Sequence, residues 1–390
     1  MSIRSATTLI VLMVTAFLVV GQLYVTLPLS GALAARFSVG PASVALAGTA
    51  FGLAYAAGFL LFGPLSDRYG RRRIIVAGLV ATALATALVG LASRFDLLLL
   101  ARAAQGLAAA AFPPTALSLV AEMLPDRQRP LGVSAMSFAF LGAAPLAQFL
   151  AAWSGLDLAT IMLRLAPVYA LAAVTLAFLA PAPTAPRTAP GAPTAKTLPA
   201  ARMTDLFRDP LILAAWGAAT TMLFGFVIFH GAIATSGAVD PQLIRLVGLP
   251  PFLLTFAAAA IIRAKSPGFT ARLGLSLSAA GLLIALAPGG LMPASILLSS
   301  GLALAVPGFI TTIAGRADNA NRGLALAIYT FTLFVGASIA PPLAPVLALA
   351  GPATLVLIPA ALMIAGVLAL FAARGAPACS APTCSAPASS

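Results

Sequence analysis

The sequence is poor in the residues from which soluble chemistry is built. Among 390 residues there are one histidine, His230, two cysteines and nine acidic residues. Both cysteines, Cys379 and Cys384, fall near the end of the chain, so no disulfide framework holds its body. Their Cys-x-x-x-x-Cys spacing has no neighbouring Cys or His to complete a zinc site, so no metal and no cofactor are expected. The scarcity of histidine and carboxylate leaves little for a hydrolytic centre, and nothing clusters as an enzyme's catalytic set. No Gly-x-x-x-x-Gly-Lys-Ser/Thr loop occurs, which removes ATP as a direct energy source. Only 8% of residues are charged, against about 25% in soluble domains. With 61% hydrophobic residues and a mean hydropathy of +1.06, the chain cannot present a water-soluble surface.

What is present is a series of long apolar runs. They lie at 8–29, 43–63, 74–93, 96–121, 131–153, 159–180, 211–236, 242–262, 273–288, 292–314, 323–349 and 352–373. A bilayer core needs about 20 apolar residues per helix, and the run at 273–288 is the shortest. Backbone groups in lipid must be satisfied within their own segment, so each run predicts a helix. The expectation is an all-α, polytopic membrane protein with twelve transmembrane helices. The first run follows Arg4 and resembles a secretory leader, but it exceeds the about 7–15 residues of a leader core and contains Gln22, Tyr24 and Pro28. It is taken as a retained first helix.

The net charge of +13 is not a nucleic-acid footprint, because the basic residues sit in short segments between apolar runs. Arg4, Arg68, Arg71–Arg73, Arg127, Arg129, Arg187, Lys196, Arg202, Arg208, Arg263, Lys265, Arg272, Arg316, Arg322 and Arg374 fall on the side of the two chain ends, whereas the opposite loops hold only Arg36, Arg94 and Arg245. The positive-inside rule then puts both termini in the cytoplasm. The Pro-, Ala- and Thr-rich stretch 181–210 divides the runs six and six. The expected organisation is an N-terminal half at 1–180, a cytoplasmic linker at 181–210, a C-terminal half at 211–373 and a disordered tail at 374–390. The halves echo each other: Ser66-Asp67-Arg68-Tyr69-Gly70 compares with Thr270-Ala271-Arg272-Leu273-Gly274, and Gly142-Ala143-Ala144-Pro145 with Gly336-Ala337-Ser338-Ile339-Ala340-Pro341.

Between the second and third runs stands Gly63-Pro64-Leu65-Ser66-Asp67-Arg68-Tyr69-Gly70-Arg71-Arg72-Arg73. Its Gly-x-x-x-Asp-Arg-x-Gly-Arg-Arg spacing resembles the loop signature of the major facilitator superfamily. Arg102-Ala103-Ala104-Gln105-Gly106 in the fourth run is similar to that family's Arg-x-x-Gln-Gly signature. The resemblance covers residues 8–373 and implies two pseudo-symmetric six-helix halves that work by alternating access. It implies a cytoplasmic gate at Gly63, Asp67, Arg68, Gly70 and Arg71, with Glu122 at the end of the fourth run as the partner of Arg71. Asp67 is expected near Asn321 to Leu324, at the start of the eleventh helix.

Since helices one, four, seven and ten line the cavity in this family, the resemblance also makes Gln22, Tyr24, Arg102, Gln105, Phe112, Thr220, Thr221, Phe224 and His230 candidates for a substrate or proton cavity. Each has a simpler alternative. Arg102 can snorkel to the headgroups, Thr220 and Thr221 can bond their own helix, Phe112 and Phe224 can face lipid, and His230 can be interfacial.

The implied function is a secondary transporter of a small organic solute, taken as an exporter coupled to protons and working as a monomer. The fifth run departs from the drug–proton antiporter pattern at Ala144-Pro145 and Gln148-Phe149. Two alternatives therefore stay open: an importer or uniporter of a polar or anionic solute, and a transporter-shaped sensor or assembly partner.

Overall fold

The computed structural model describes residues 3–125, 127–180, 206–237, 239–317 and 321–375. Of the expected linker at 181–210, residues 181–205 lie outside the described residues, as does the tail beyond 375 with both cysteines. Among the described residues all regular elements are helical, and twelve spans are long and apolar enough to cross a membrane. They are Ile3–Gly21, Ala42–Ser66, Arg71–Leu91, Phe95–Met123, Leu131–Trp153, Leu158–Leu179, Pro210–Ile233, Pro241–Ala264, Pro267–Ile284, Leu291–Arg316, Arg322–Ala348 and Thr354–Ala372. The even number returns the last span to the face where the first began, called here the terminal face; the opposite one is the far face.

Proline sets where these spans break. Pro113 and Pro114 interrupt the fourth, whose α-helix stops at Ala109 and resumes at Phe112. Pro250 and Pro251 convert the middle of the eighth to a 3-10 turn between Pro241–Val247 and Thr255–Ala264. A proline lacks the amide and its ring crowds the carbonyl four residues back, so the ladder fails there.

Three sequence-based boundaries need correction. The first helix ends at Gly21 rather than 29, and Gln22 to Leu29 continue as turns before a short helix at Ser30–Phe37. The segment 63–73 is not a loop. One helix runs through Ser66, Arg68 and Tyr69, another begins at Arg71, and Gly70 alone joins them at φ 89° and ψ 134°. Only glycine enters that region without strain, which is why the turn needs no further residues. The ninth helix begins at Pro267, so Arg272 lies inside it, mostly buried with its guanidinium 4.5 Å from the Phe371 ring.

The first six spans pack on one another, and so do the last six. Within lipid, association depends on close backbone approach through small residues. A Cβ on Gly106 would strike the carbonyl of Phe51 in the second span, and one on Gly336 would strike that of Thr220 in the seventh. The two halves meet along two seams, between the second and eleventh spans and between the fifth and eighth. The chain thus forms two six-helix halves around a central cavity.

Candidate functional site

The cavity together with the open space at its mouth amounts to about 850 Å³. It draws on both halves: Val20, Tyr24, Tyr55, Phe59, Pro113, Leu117 and Phe140 from the first six spans, Leu223, Phe226, Val306, Tyr329 and Phe334 from the last six. Phe59 and Phe334 stack across the seam with centroids 5.4 Å apart, and Tyr55 stands edge-on to both at 4.7 and 4.9 Å. Tyr55 and Tyr329 are buried, and neither hydroxyl has a hydrogen-bond partner among the described residues. None of the described lining residues is charged.

On the far side of this cavity the halves are in contact. Thr49 Oγ1 donates to the carbonyl of Ser338 at 2.8 Å, and Gly52 lies directly against the Ser338 side chain. Gln242 Nε2 donates to the carbonyl of Phe149 at 3.3 Å on the other seam. Pro113, Leu117, Tyr329 and Thr330 come from the portions of the fourth and eleventh spans nearer the terminal face, whereas Val20, Tyr24, Leu223 and Phe226 come from the far-face portions of the first and seventh, so the cavity lies in the middle of the bundle.

Of the residues expected at the cavity, Tyr24 lines it. Gln22, Arg102 and Gln105 come together, but behind the wall, inside the first half. Arg102 is fully buried, which excludes snorkelling. Its Nε donates to the carbonyl of Ala47 at 3.1 Å, one terminal nitrogen to Gln105 Oε1 at 2.7 Å and the other to the carbonyl of Gln22 at 2.7 Å. The guanidinium also lies 4.5 Å from the centroid of Phe51. Gln105 reaches Thr86 Oγ1 at 2.9 Å, and Gln22 donates to the Tyr169 hydroxyl at 2.9 Å, which donates to the carbonyl of Leu18. This network ties the broken end of the first span to the second, third, fourth and sixth.

Phe112 and Phe224 are buried rather than lipid-facing. Thr220 and Thr221 bond carbonyls of their own helix, at Trp216 and Ala218. His230 is buried between Phe226 and Phe229, with centroids 4.2 and 5.2 Å away, and its Nδ1 lies 2.9 Å from the carbonyl of Phe226.

At the terminal face Arg71 pairs with Glu122 at 2.6 Å and also donates to the carbonyl of Ser118 at 2.9 Å. Arg68 is exposed, 5.3 Å from the Tyr69 ring, and Gly63 has nothing near its absent Cβ. The side chain of Asp67 lies outside the described residues. Other arginines cap helix ends. Arg4 donates to the carbonyls of Phe178 and Leu179, Arg72 to that of Ala177, and Arg322 to that of Ala314. Carbonyls at a helix C-terminus have no intrahelical partner, and a cation there also meets the negative end of the dipole. At the far face Thr160 bonds the Asp157 carboxylate and, with Arg36 3.5 Å away, holds its carboxyl below the ordinary value.

Two features escaped sequence reasoning. Asp209 caps the seventh helix through the amides of Leu211 and Ile212 and pairs with Arg316 at 2.7 Å. Asp-Pro before an apolar run is an N-cap signature that marks it. The aromatic wall also left a trace, since Phe51, Tyr55 and Phe59 recur every four residues along one helix face.

Comparison with known proteins agrees with this architecture. The family model described as Major Facilitator Superfamily matches residues 12–273. The cephamycin export protein CmcT of Amycolatopsis lactamdurans is 31% identical over 274 residues, which are 63% of this chain and 54% of the relative. The MFS-type transporter YwfA of Bacillus subtilis is 35% identical over 127 residues, 32% of this chain and 31% of the relative. The puromycin resistance protein pur8 of Streptomyces alboniger is 46% identical over 72 residues, 18% of this chain and 14% of the relative. The chain spans about half the length of the first of these and less of the others. With twelve spans in two halves around a shared cavity, and with the family match over most of its length, the chain belongs to the Major Facilitator Superfamily of membrane transporters.

Proposed function

We propose that this protein is a secondary exporter of a small organic solute, driven by the proton gradient and working by alternating access as a monomer. The observation that carries the reading is the cavity itself: both halves line it, and the hydrogen bond from Thr49 to Ser338 joins them on its far side. In the proposed orientation both chain ends face the cytoplasm of a bacterial inner membrane, so this joined side is external. The concentration of arginine at the terminal face supports the orientation. Relatives named for cephamycin export and puromycin resistance support the direction. The linker at 181–210 and the divisions at 1–180, 211–373 and 374–390 are proposed as the working units, the two halves rocking about the cavity. Arg71 with Glu122, and Asp67, Arg68 and Gly70 beside them, are proposed as the cytoplasmic gate. Gln22, Arg102 and Gln105 are proposed to support the cavity wall from behind.

A uniport reading draws on one observation: none of the described lining residues is acidic, so the wall offers no carboxylate to carry a proton. Inverted membrane vesicles decide between the readings. Solute uptake should rise with an imposed proton gradient and collapse with an ionophore. Uptake that is unchanged by the ionophore selects uniport, and no uptake of any solute tested defeats both.

A further inference from the structure

We infer that Arg272 and Arg374 form a headgroup site for an anionic phospholipid, on the outer surface of the second half where the ninth and twelfth spans reach the terminal face.

The site begins with a buried cation that lacks a partner. Arg102, Arg245 and Arg272 are the buried arginines among the described residues. Arg102 places three nitrogens on acceptors, and Arg245 bonds the side chain of Gln242. Arg272 is 8% exposed and makes no hydrogen bond or ion pair among the described residues. Its guanidinium lies against the Phe371 ring, 4.5 Å from the centroid. A ring over the face of a guanidinium leaves the N–H donors along its edge free. A charge withdrawn from water is costly without a counter-charge.

The surroundings supply none. The segments 263–284 and 354–375, which build the site, contain no acidic residue but add Arg263, Lys265 and Arg374. Arg374 stands in the turn after the twelfth helix, near enough for its charge to act on Arg272. It too has no hydrogen-bond or ion-pair partner among the described residues. Two adjacent cations repel, and an anion that bridges them removes the repulsion and takes up the free donors.

Position identifies the anion. Arg272 lies about 7.5 Å along its helix from Pro267, where that helix starts. Its side chain runs back toward this end, since a Cβ on Gly268 would lie 3.5 Å from Nη1. The guanidinium is thereby held at the level of the lipid headgroups. Deeper in the membrane Ile364, Leu368 and Phe371 are exposed on one face of the twelfth helix, a surface for an acyl chain. A free phosphate would use the cations alone, whereas a phospholipid uses both surfaces. A zwitterionic headgroup would bring its ammonium against two arginines, so the site favours a lipid of net negative charge.

Native mass spectrometry of the delipidated full chain, released from nonionic detergent micelles, counts the molecules that stay bound. Three probes are titrated: dioleoylphosphatidylglycerol, dioleoylphosphatidylcholine and sn-glycerol 3-phosphate. The parent should retain one phosphatidylglycerol with about tenfold preference over phosphatidylcholine, and glycerol phosphate should not bind in the same range. Arg272→Gln should weaken phosphatidylglycerol about tenfold, and Arg374→Gln, at an exposed position that folding does not depend on, several-fold. Arg73→Gln, which removes an exposed cation from the first half, should change it little. Without lipid, the thermal midpoint of Arg272→Gln should match or exceed that of the parent, because an uncompensated charge is gone. Equal binding of the two lipids, glycerol phosphate bound as tightly as phosphatidylglycerol, an equal loss in Arg73→Gln, or unaltered binding in both Arg272→Gln and Arg374→Gln would overturn the inference. A lower lipid-free midpoint for Arg272→Gln, with unaltered binding in Arg374→Gln, would make Arg272 a packing residue and overturn it as well.

Discussion

Arg102 donates to the backbone carbonyl of Gln22 at 2.7 Å, joining residues 80 positions apart at the point where the first helix ends. A helix terminus leaves carbonyls unpaired, and lipid offers no water to satisfy them. The same guanidinium holds the carbonyl of Ala47 and the side chain of Gln105, so one cation joins three spans. Arg102→Ala should therefore do more than abolish transport. It strands three acceptors at about 1–3 kcal/mol each, and unfolding in detergent should show a loss of about 3 kcal/mol or more. Arg102→Lys should recover only part, because an ammonium cannot reproduce the planar fork. An Arg102→Ala protein of normal stability would show that the network does not hold the fold.

The pair of Arg71 and Glu122 calls for the opposite expectation. Its side chains are 27% and 46% exposed, and an ion pair that meets water adds about 0–1 kcal/mol at most. Glu122→Gln should leave the thermal midpoint nearly unchanged while altering the transport rate, because a contact made in one conformation and broken in the other shifts their populations. Exchanging the charges, Arg71→Glu with Glu122→Arg, should restore more activity than either single change retains. Activity equal to the parent in Glu122→Gln would remove this pair from the gate.

Gly70 makes the sharpest backbone test. Its φ of 89° joins two helices without a loop, and open space surrounds the position of its absent Cβ. The penalty for Gly70→Ala is thus conformational rather than steric, about 1–3 kcal/mol. Thermal stability should fall by that amount. An unchanged midpoint would mean that the joint relaxes into an ordinary turn.

These three cases show how far the sequence could be read. Twelve spans were legible because lipid forces each apolar run to satisfy its own backbone. Their ends were less so. Nothing in hydropathy distinguishes the turns from Gln22 to Leu29 from the helix before them, and the basic cluster near Gly70 looks like a loop although helix runs almost through it. Gln22, Arg102 and Gln105 do meet, yet the direction in which a fourth-span residue points depends on the break at Ala109 to Phe112 and on how Gly106 lets that span approach Phe51. Aromatic residues such as Tyr55, Phe59 and Phe334 share the cavity wall with aliphatic ones, and on a membrane helix both look the same whether they face lipid or a cavity.

The closed far side rests on a small residue, and enlarging it should hold that side open. A Cβ on Gly52 would collide with the Ser338 side chain and lie 2.9 Å from Leu23 Cδ1, beside the hydrogen bond from Thr49 to the Ser338 carbonyl. Packed interfaces do not yield gradually, so a Val at position 52 should shift the population toward a form in which the second and eleventh spans separate at the far face. The reporter is a cysteine at Val20, which lines the cavity, after replacement of Cys379 and Cys384 by serine. In oriented vesicles an impermeant maleimide added from the far face should label this thiol poorly in the parent and readily with Gly52→Val. Transport should fall in the variant, since closure is part of the cycle. Misfolding is a separate outcome, and a second pair controls for it: Gly52→Ala should show the same change more weakly, and adding Ser338→Gly should restore both low labelling and transport by removing the opposing side chain. Equal labelling in parent and Gly52→Val, with transport intact, would show that this contact is not the seal.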